Sequence, residues 1–101
     1  MYSLIFSPTA QTSLTLLHRY IAVKSSTRIA DAYLMRIRKD CRSLCLAPYR
    51  GRSYETVRPG LRVVGFERRA SIIFKVSEEH KMVTILEVFY GGRSVKFETD
   101  Q

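Results

Sequence analysis

Apolar residues recur along this chain first with a helical rhythm and later with an alternating one. The opening "SLIF", residues 3–6, is a short apolar run of strand length. Ser7 then suits an N-cap and Pro8 the first helical position, where a missing N–H costs nothing. Behind them Ala10, Leu14, Leu17 and Ile21 recur at steps of four, three and four, which is one face of a helix. Ser25, Ser26 and Thr27 interrupt, each able to cap the next helix. That second helix is predicted from about Arg28 to Leu46, with the stripe Ala30, Leu34, Ile37, Cys41 and Leu44. Two helices joined by a few polar residues pack as an antiparallel hairpin.

The period changes after "APYRGRSYE", residues 47–55, where Pro48 and Gly51 mark irregular backbone. "TVRPGLRVVGF" sets a Pro59-Gly60 turn between two extended runs, so a brief extra strand is expected before Pro59. "SIIFKV" and "MVTILEVFY" are β-branched and aromatic strands on either side of the charged tip "SEEHK". Gly91 and Gly92 close the last strand, and the polar tail from about residue 94 is expected to fray. In "LRVVGF", alternation puts Leu61, Val63 and Gly65 on one face and Arg62, Val64 and Phe66 on the other. Both faces carry apolar residues, which predicts a central strand. The order β-α-α-β-β-β, with no repeat and no linker, predicts a single domain over residues 1–101. Its class is α+β: an N-terminal strand and a two-helix antiparallel hairpin packed on a twisted, mostly antiparallel β-sheet.

Composition narrows the function more than the fold. Apolar residues make up 46% and charged residues 26% of the chain, an ordinary globular balance. No apolar run approaches the roughly 18 residues of a membrane span, and the start lacks the basic region of a signal peptide. Cys41 and Cys45, four apart on the second helix, suit reduced thiols in the cytoplasm better than a disulfide framework. The net charge of +8 is concentrated: from Arg36 to Arg69 there are ten Lys or Arg against Asp40, Glu55 and Glu67, so 10 − 3 = +7. All of the ten except Lys39 are arginine, whose planar fork suits carboxylates, phosphates and base edges. Such a field favours an acidic partner over mere solubility.

Catalytic and metal chemistry find little support. His18 and His80 have no ligand spacing to the cysteines, so no metal and no cofactor is expected. Gly91-Gly92 lacks the context of a phosphate loop, but it lies between Tyr90 and Arg93 and makes a plausible contact corner. Metal-independent RNA cleavage needs a base, an acid and cations for the phosphorane charge. Arg58, Arg62 and Arg93 could supply the cations, and Glu55 or Tyr90 the proton transfer, but no histidine lies in the sheet. The catalytic set is incomplete. Tyr49, Tyr54 and Tyr90, interleaved with arginines, could stack on bases or pack in the core. Arg62, after the Pro59-Gly60 turn, and Arg93, after Gly91-Gly92, are expected to converge with Tyr90 at one rim of the sheet. Arg68 and Arg69 are expected to be solvated hairpin charges.

Across residues 2–94 the chain resembles the ParE branch of the RelE/ParE toxins of bacterial type II toxin–antitoxin systems. The resemblance is carried by "FSPTAQTSL", "APYRGRSYETVRPGLR", "IIFKV" and "ILEVFYGGR". Its motifs, Pro-x-x-Gly-Arg, Arg-x-Gly-x-Arg and a terminal Gly-Gly-Arg, fall on Pro48, Gly51, Arg52, Arg58, Gly60, Arg62, Gly92 and Arg93. The resemblance implies a cytoplasmic, non-enzymatic toxin that inhibits DNA gyrase and is neutralised by a cognate acidic, ParD-like antitoxin in a hetero-oligomer. The alternative is a ribosome-dependent messenger RNA endoribonuclease of RelE type. Tyr90 stands where many family members place a histidine, and the lysine cluster of the nucleases is missing. A nontoxic basic adaptor on the same fold is a third reading. Expected target contacts are Arg58, Arg62, Tyr90 and Arg93; expected antitoxin contacts are Arg36, Arg50, Arg52 and Tyr54.

Overall fold

A computed structural model describes residues 1–91. The elements run β1 (Ser3–Phe6), α1 (Pro8–Lys24), α2 (Thr27–Ser43), β2 (Arg52–Ser53), β3 (Leu61–Phe66), β4 (Ala70–Ser77) and β5 (Met82–Tyr90). The described strands form one sheet in the order β1-β5-β4-β3-β2, with β1 parallel to β5 and the other pairs antiparallel. The predicted α+β architecture is therefore the observed one. A brief strand does precede Pro59, but it is β2 at Arg52–Ser53, whereas the run 56–58, read as extended, lies in a turn.

Both helices begin as their sequences dictate. The Ser7 hydroxyl accepts the Ala10 N–H at 3.0 Å and donates to the Leu86 carbonyl at 2.8 Å, which ties the start of α1 to β5. Ser26 caps α2 by accepting the Ile29 N–H at 3.1 Å. With only Ser25 and Ser26 between them, the helices must fold back on each other. Every residue of the two predicted stripes is buried, from Ala10 to Ile21 on α1 and from Ala30 to Leu44 at the end of α2. They close over the inner sheet face, where Phe66, Ile72, Phe74, Val76, Val83, Ile85 and Val88 complete one core cluster.

Two features depart from the periodic reading. The α-helix α2 stops at Ser43, three residues early, because the chain tightens there. The N–H groups of Leu44, Cys45 and Leu46 donate to the carbonyls of Cys41, Arg42 and Ser43, each three residues back, at 3.1 Å. The Cys45 carbonyl is then free to accept the Tyr2 N–H beside β1, at 3.2 Å. Strand β5 carries one extra residue. Ile73 pairs with Glu87 but Phe74 pairs with Ile85, leaving Leu86 as a bulge. The bulge resets the alternation, so that Val83 and Ile85 before it and Val88 and Tyr90 after it all face the helices.

Candidate functional site

Arg62 sits on the inner face of β3, opposite Ser53 of β2 and Phe74 of β4. Its guanidinium is engaged within the chain. Nε donates to the Arg50 carbonyl at 3.1 Å, and Nη2 donates to the carbonyls of Tyr49 at 3.1 Å and Gly51 at 3.2 Å. The same group lies 5.5 Å from the centre of the Tyr49 ring. The loop can approach this closely because residue 51 is glycine. It takes φ +76°, and a Cβ there would lie 2.1 Å from the Val63 carbonyl oxygen. Just past the clamp, Arg52 and Ser53 pair with β3, and the Tyr54 N–H donates to the Leu61 carbonyl at 2.8 Å.

The clamped loop carries three of the four expected antitoxin contacts. Arg50 reaches Asp40 of α2 at 3.5 Å, while its buried Nε finds no hydrogen-bond acceptor among the described residues. Arg52 lies over the Tyr54 ring at 5.3 Å, and the residue is exposed. Arg36, the fourth, is elsewhere. It makes a forked pair with Glu67 in the β3–β4 turn, at 2.8 and 3.0 Å, and lies over Tyr33 at 5.3 Å. That fork holds the Glu67 carboxyl below its ordinary pKa and steadies a turn in which Glu67 and Arg68 both take positive φ.

Among the described residues, the expected nuclease groups Glu55, Arg62 and Tyr90 do not assemble. Glu55 accepts the Gly60 N–H at 3.0 Å and so staples the 55–60 turn. Arg58 is exposed and has no ion pair among the described residues. It borders a hollow of about 470 Å³ on the outer sheet face with Val57, Leu61, Ile73 and Glu87. Tyr90 pairs with Ala70, which in turn pairs with Phe66. Arg62 lies four residues back along β3, on the order of 13 Å at strand rise. The expected convergence of Arg62 with Tyr90 is therefore not what the register builds, and Arg93 lies outside the described residues.

Tyr90 instead joins a row of aromatic rings at the opposite end of the sheet. Its ring meets Tyr20 and Tyr33 edge-on at 5.7 Å each, and Tyr33 meets Phe66 at 5.5 Å. Beside it, Tyr20, Lys24 and Ser25 at the end of α1 face Arg69 and Tyr90 across a hollow of about 410 Å³. Arg69, read in the sequence as a solvated hairpin charge, is thus the described arginine that borders the Tyr90 site. Nothing in residue spacing marks it, because only the β4–β5 register brings residues 69 and 90 together. Tyr33 is 8% exposed and its hydroxyl has no hydrogen-bond partner among the described residues. Burial, with Tyr90 and Glu67 nearby, pushes its pKa up to about 12.

The remaining candidates behave as packing groups. Burial and the neighbouring Asp40 push the Cys41 thiol up to about 12, which makes it a poor nucleophile. His18 bridges the helices to Asp31 at 2.7 Å. No group of three or more metal-ligating side chains occurs among the described residues, and no described helix is long and apolar enough to cross a membrane. The arrangement offers two positively charged contact regions: the clamped loop with Arg58 at one end of the sheet, and the tyrosine row with Lys24 and Arg69 at the other.

Comparison with known proteins agrees with this picture. The sequence model of the family described as "ParE toxin of type II toxin-antitoxin system, parDE" matches residues 4–95. No curated protein matches the chain. Among solved structures, a chain of the chromosomal ParDE toxin–antitoxin system from P. aeruginosa is similar over 90% of this chain and 97% of its own, with TM-score 0.75 and 23% identity. The RelBE2 toxin–antitoxin complex from Mycobacterium tuberculosis contains a chain similar over 88% of this chain and 96% of its own, with TM-score 0.61 and 20% identity. The isolated E. coli RelE toxin matches 93% of this chain and 88% of its own, with TM-score 0.63 and 14% identity.

Proposed function

The chain belongs to the ParE family of type II toxin–antitoxin toxins, and from that premise we propose that it acts by binding, as a cytoplasmic inhibitor of DNA gyrase. The observation that carries this reading over RNA cleavage is the dispersal of the nuclease candidates. Arg62 is held by three backbone carbonyls, Glu55 is held by the Gly60 amide, and Tyr90 lies at the far end of the sheet. A cleavage site needs its base, acid and cations within hydrogen-bond reach of one phosphate. A binding surface needs only exposed charge and shape, which Arg58 and the Tyr90 region offer, with Arg93 following Tyr90 in sequence.

An acidic, ParD-like antitoxin neutralises the toxin in this reading, its carboxylates pairing with Arg50 and Arg52 beside Tyr54, and with Arg36 where the turn allows. Purified protein should block gyrase supercoiling without ribosomes, and cells that express it should filament. If supercoiling proceeds normally in excess folded protein while ribosome-bound transcripts are cut, the RelE-type ribonuclease reading replaces this one.

A further inference from the structure

We infer that Arg62 is a positioning residue, not a contact: it fixes the 49–54 loop whose arginines meet the acidic partner. The inference rests on the toxin reading above for what the loop does, but its geometric basis is independent of it. One planar guanidinium collects three consecutive carbonyl oxygens, those of Tyr49, Arg50 and Gly51, at 3.1 to 3.2 Å. Convergence of three carbonyl dipoles is unfavourable without a cation at their centre, so the loop conformation and the charge require each other. The Tyr49 ring lies near the group, and the N–H donors on Nε and Nη2 are taken up by the loop. A target would therefore have to displace these carbonyls to use those donors.

The clamp acts on function through the loop it holds. Gly51 lets the loop press against β3, and a two-residue strand, Arg52–Ser53, continued by the Tyr54–Leu61 hydrogen bond, ties the next stretch to the sheet. Without the guanidinium, so short a ladder would not fix where Arg50 and Arg52 point. Lysine keeps the charge of Arg62, but as a point charge on a single nitrogen it lacks the fork that spans three acceptors. The two roles thus predict opposite behaviour for Arg62→Lys. A direct electrostatic contact would survive it in large part, whereas a clamp would not.

The test compares wild type, Arg62→Lys and Arg62→Ala by hydrogen exchange on the purified protein and by binding of a glutamate-rich amphipathic peptide, the chemistry of the acidic partner. Both variants should exchange the Tyr54 amide at least about tenfold faster, the worth of one lost charge-assisted bond, while amides of β4 and β5 keep their protection. Both should bind the peptide at least about tenfold more weakly, and alike. Wild-type protection of Tyr54 in both variants would overturn the clamp. Wild-type peptide affinity in Arg62→Lys despite a loosened loop would overturn its functional consequence. Should Arg62→Ala fail to fold, Arg62→Lys alone carries the comparison. If wild type itself binds no such peptide, the acidic-partner reading falls, and the exchange data still decide whether Arg62 clamps the loop.

Discussion

Ile37→Ala should be the most damaging single truncation on α2, and its size can be worked from where the side chain sits. Ile37 is 0% exposed and belongs to the core cluster in which the helical hairpin closes over the sheet. Truncation removes three carbon groups, about 2.4 kcal/mol at roughly 0.8 kcal/mol each. The void between helix and sheet adds a cavity term, because Phe74 and Leu14, both fully buried, are held by neighbours on all sides. A loss of about 3–4 kcal/mol results, within the roughly 2–5 kcal/mol typical of such sites. For a chain of this length each kcal/mol moves Tm by about 4–8 °C, so about 3 kcal/mol lowers it by about 12–24 °C. Met35, two residues away but 71% exposed, provides the control, and Met35→Ala should stay within about 0.5 kcal/mol. Leu34→Ala, with the Leu34 side chain also buried, should fall between them and nearer Ile37. Urea denaturation followed by circular dichroism measures all three. Equal losses in Ile37→Ala and Met35→Ala would refute the orientation of α2 and with it the hairpin.

Other measurements probe the turn, the buried phenol and the charged surface. Arg68→Gly should stabilise the protein by about 0.5–1 kcal/mol, since Arg68 takes φ +64° in the β3–β4 turn where glycine carries no Cβ penalty; a lower Tm would refute it. Tyr33 has a folded pKa near 12 against an ordinary 10.0, so the unfolded state loses its proton first and stability should fall as pH rises from about 10 to about 12. Tyr33→Phe should flatten that decline and leave neutral-pH stability unchanged or slightly higher, because the hydroxyl it removes has no partner among the described residues; urea midpoints measured across this pH range check both. Arg93→Ala is expected to abolish growth arrest in a folded protein while Arg68→Ala leaves it, and the reverse ranking would move the target contact to the hairpin tip. Association with an acidic antitoxin should slow steeply with added salt, and a salt-independent on-rate would sink the electrostatic part of the reading.

The fold is legible in the sequence wherever burial alone decides the pattern. Ala10, Leu14, Leu17 and Ile21, and then Ala30, Leu34, Ile37, Cys41 and Leu44, announce two faces that must share one core, and all nine are buried. Ser7 is equally plain as a cap, whereas Ser25, Ser26 and Thr27 offer three candidates for the second helix, of which Ser26 is the cap. Features set by competition between elements leave no such trace. The tightening after Ser43 turns a helix end toward β1, and the bulge at Leu86 is one residue of slippage in an otherwise regular strand. In "MVTILEVFY" the step from Ile85 to Val88 breaks the alternation, but a single odd step in a largely apolar run has no unique cause in the sequence.

The site is legible in composition and illegible in geometry, and the arginines show why. Arg58 and Arg62 look equivalent in the sequence, each close to the Pro59-Gly60 turn in a β-type run. Their fates differ because one faces the outer sheet surface and the other meets a loop that comes from the end of α2. Which carbonyls an arginine finds depends on contacts 11 to 13 residues distant, and charge patterning reports only how much cation there is. Arg69 escapes a sequence reading for the complementary reason. It sits at a hairpin end, where solvation is the ordinary outcome, and it borders the Tyr90 hollow because the bulge in β5 turns that ring toward the helices beside Tyr20. One extra residue at position 86 therefore decides which face the last tyrosine takes, since unbroken alternation from Ile85 would point Tyr90 away from the helices. Because Leu86 is the unpaired residue, its deletion should leave a regular ladder in which Ile85 still pairs with Phe74, Glu87 with Ile73 and Tyr90 with Ala70, so the tyrosine row and its near-ultraviolet dichroism should be kept. Loss of that signal in a folded deletion variant would show that β5 does not hold its register by setting one residue aside at position 86.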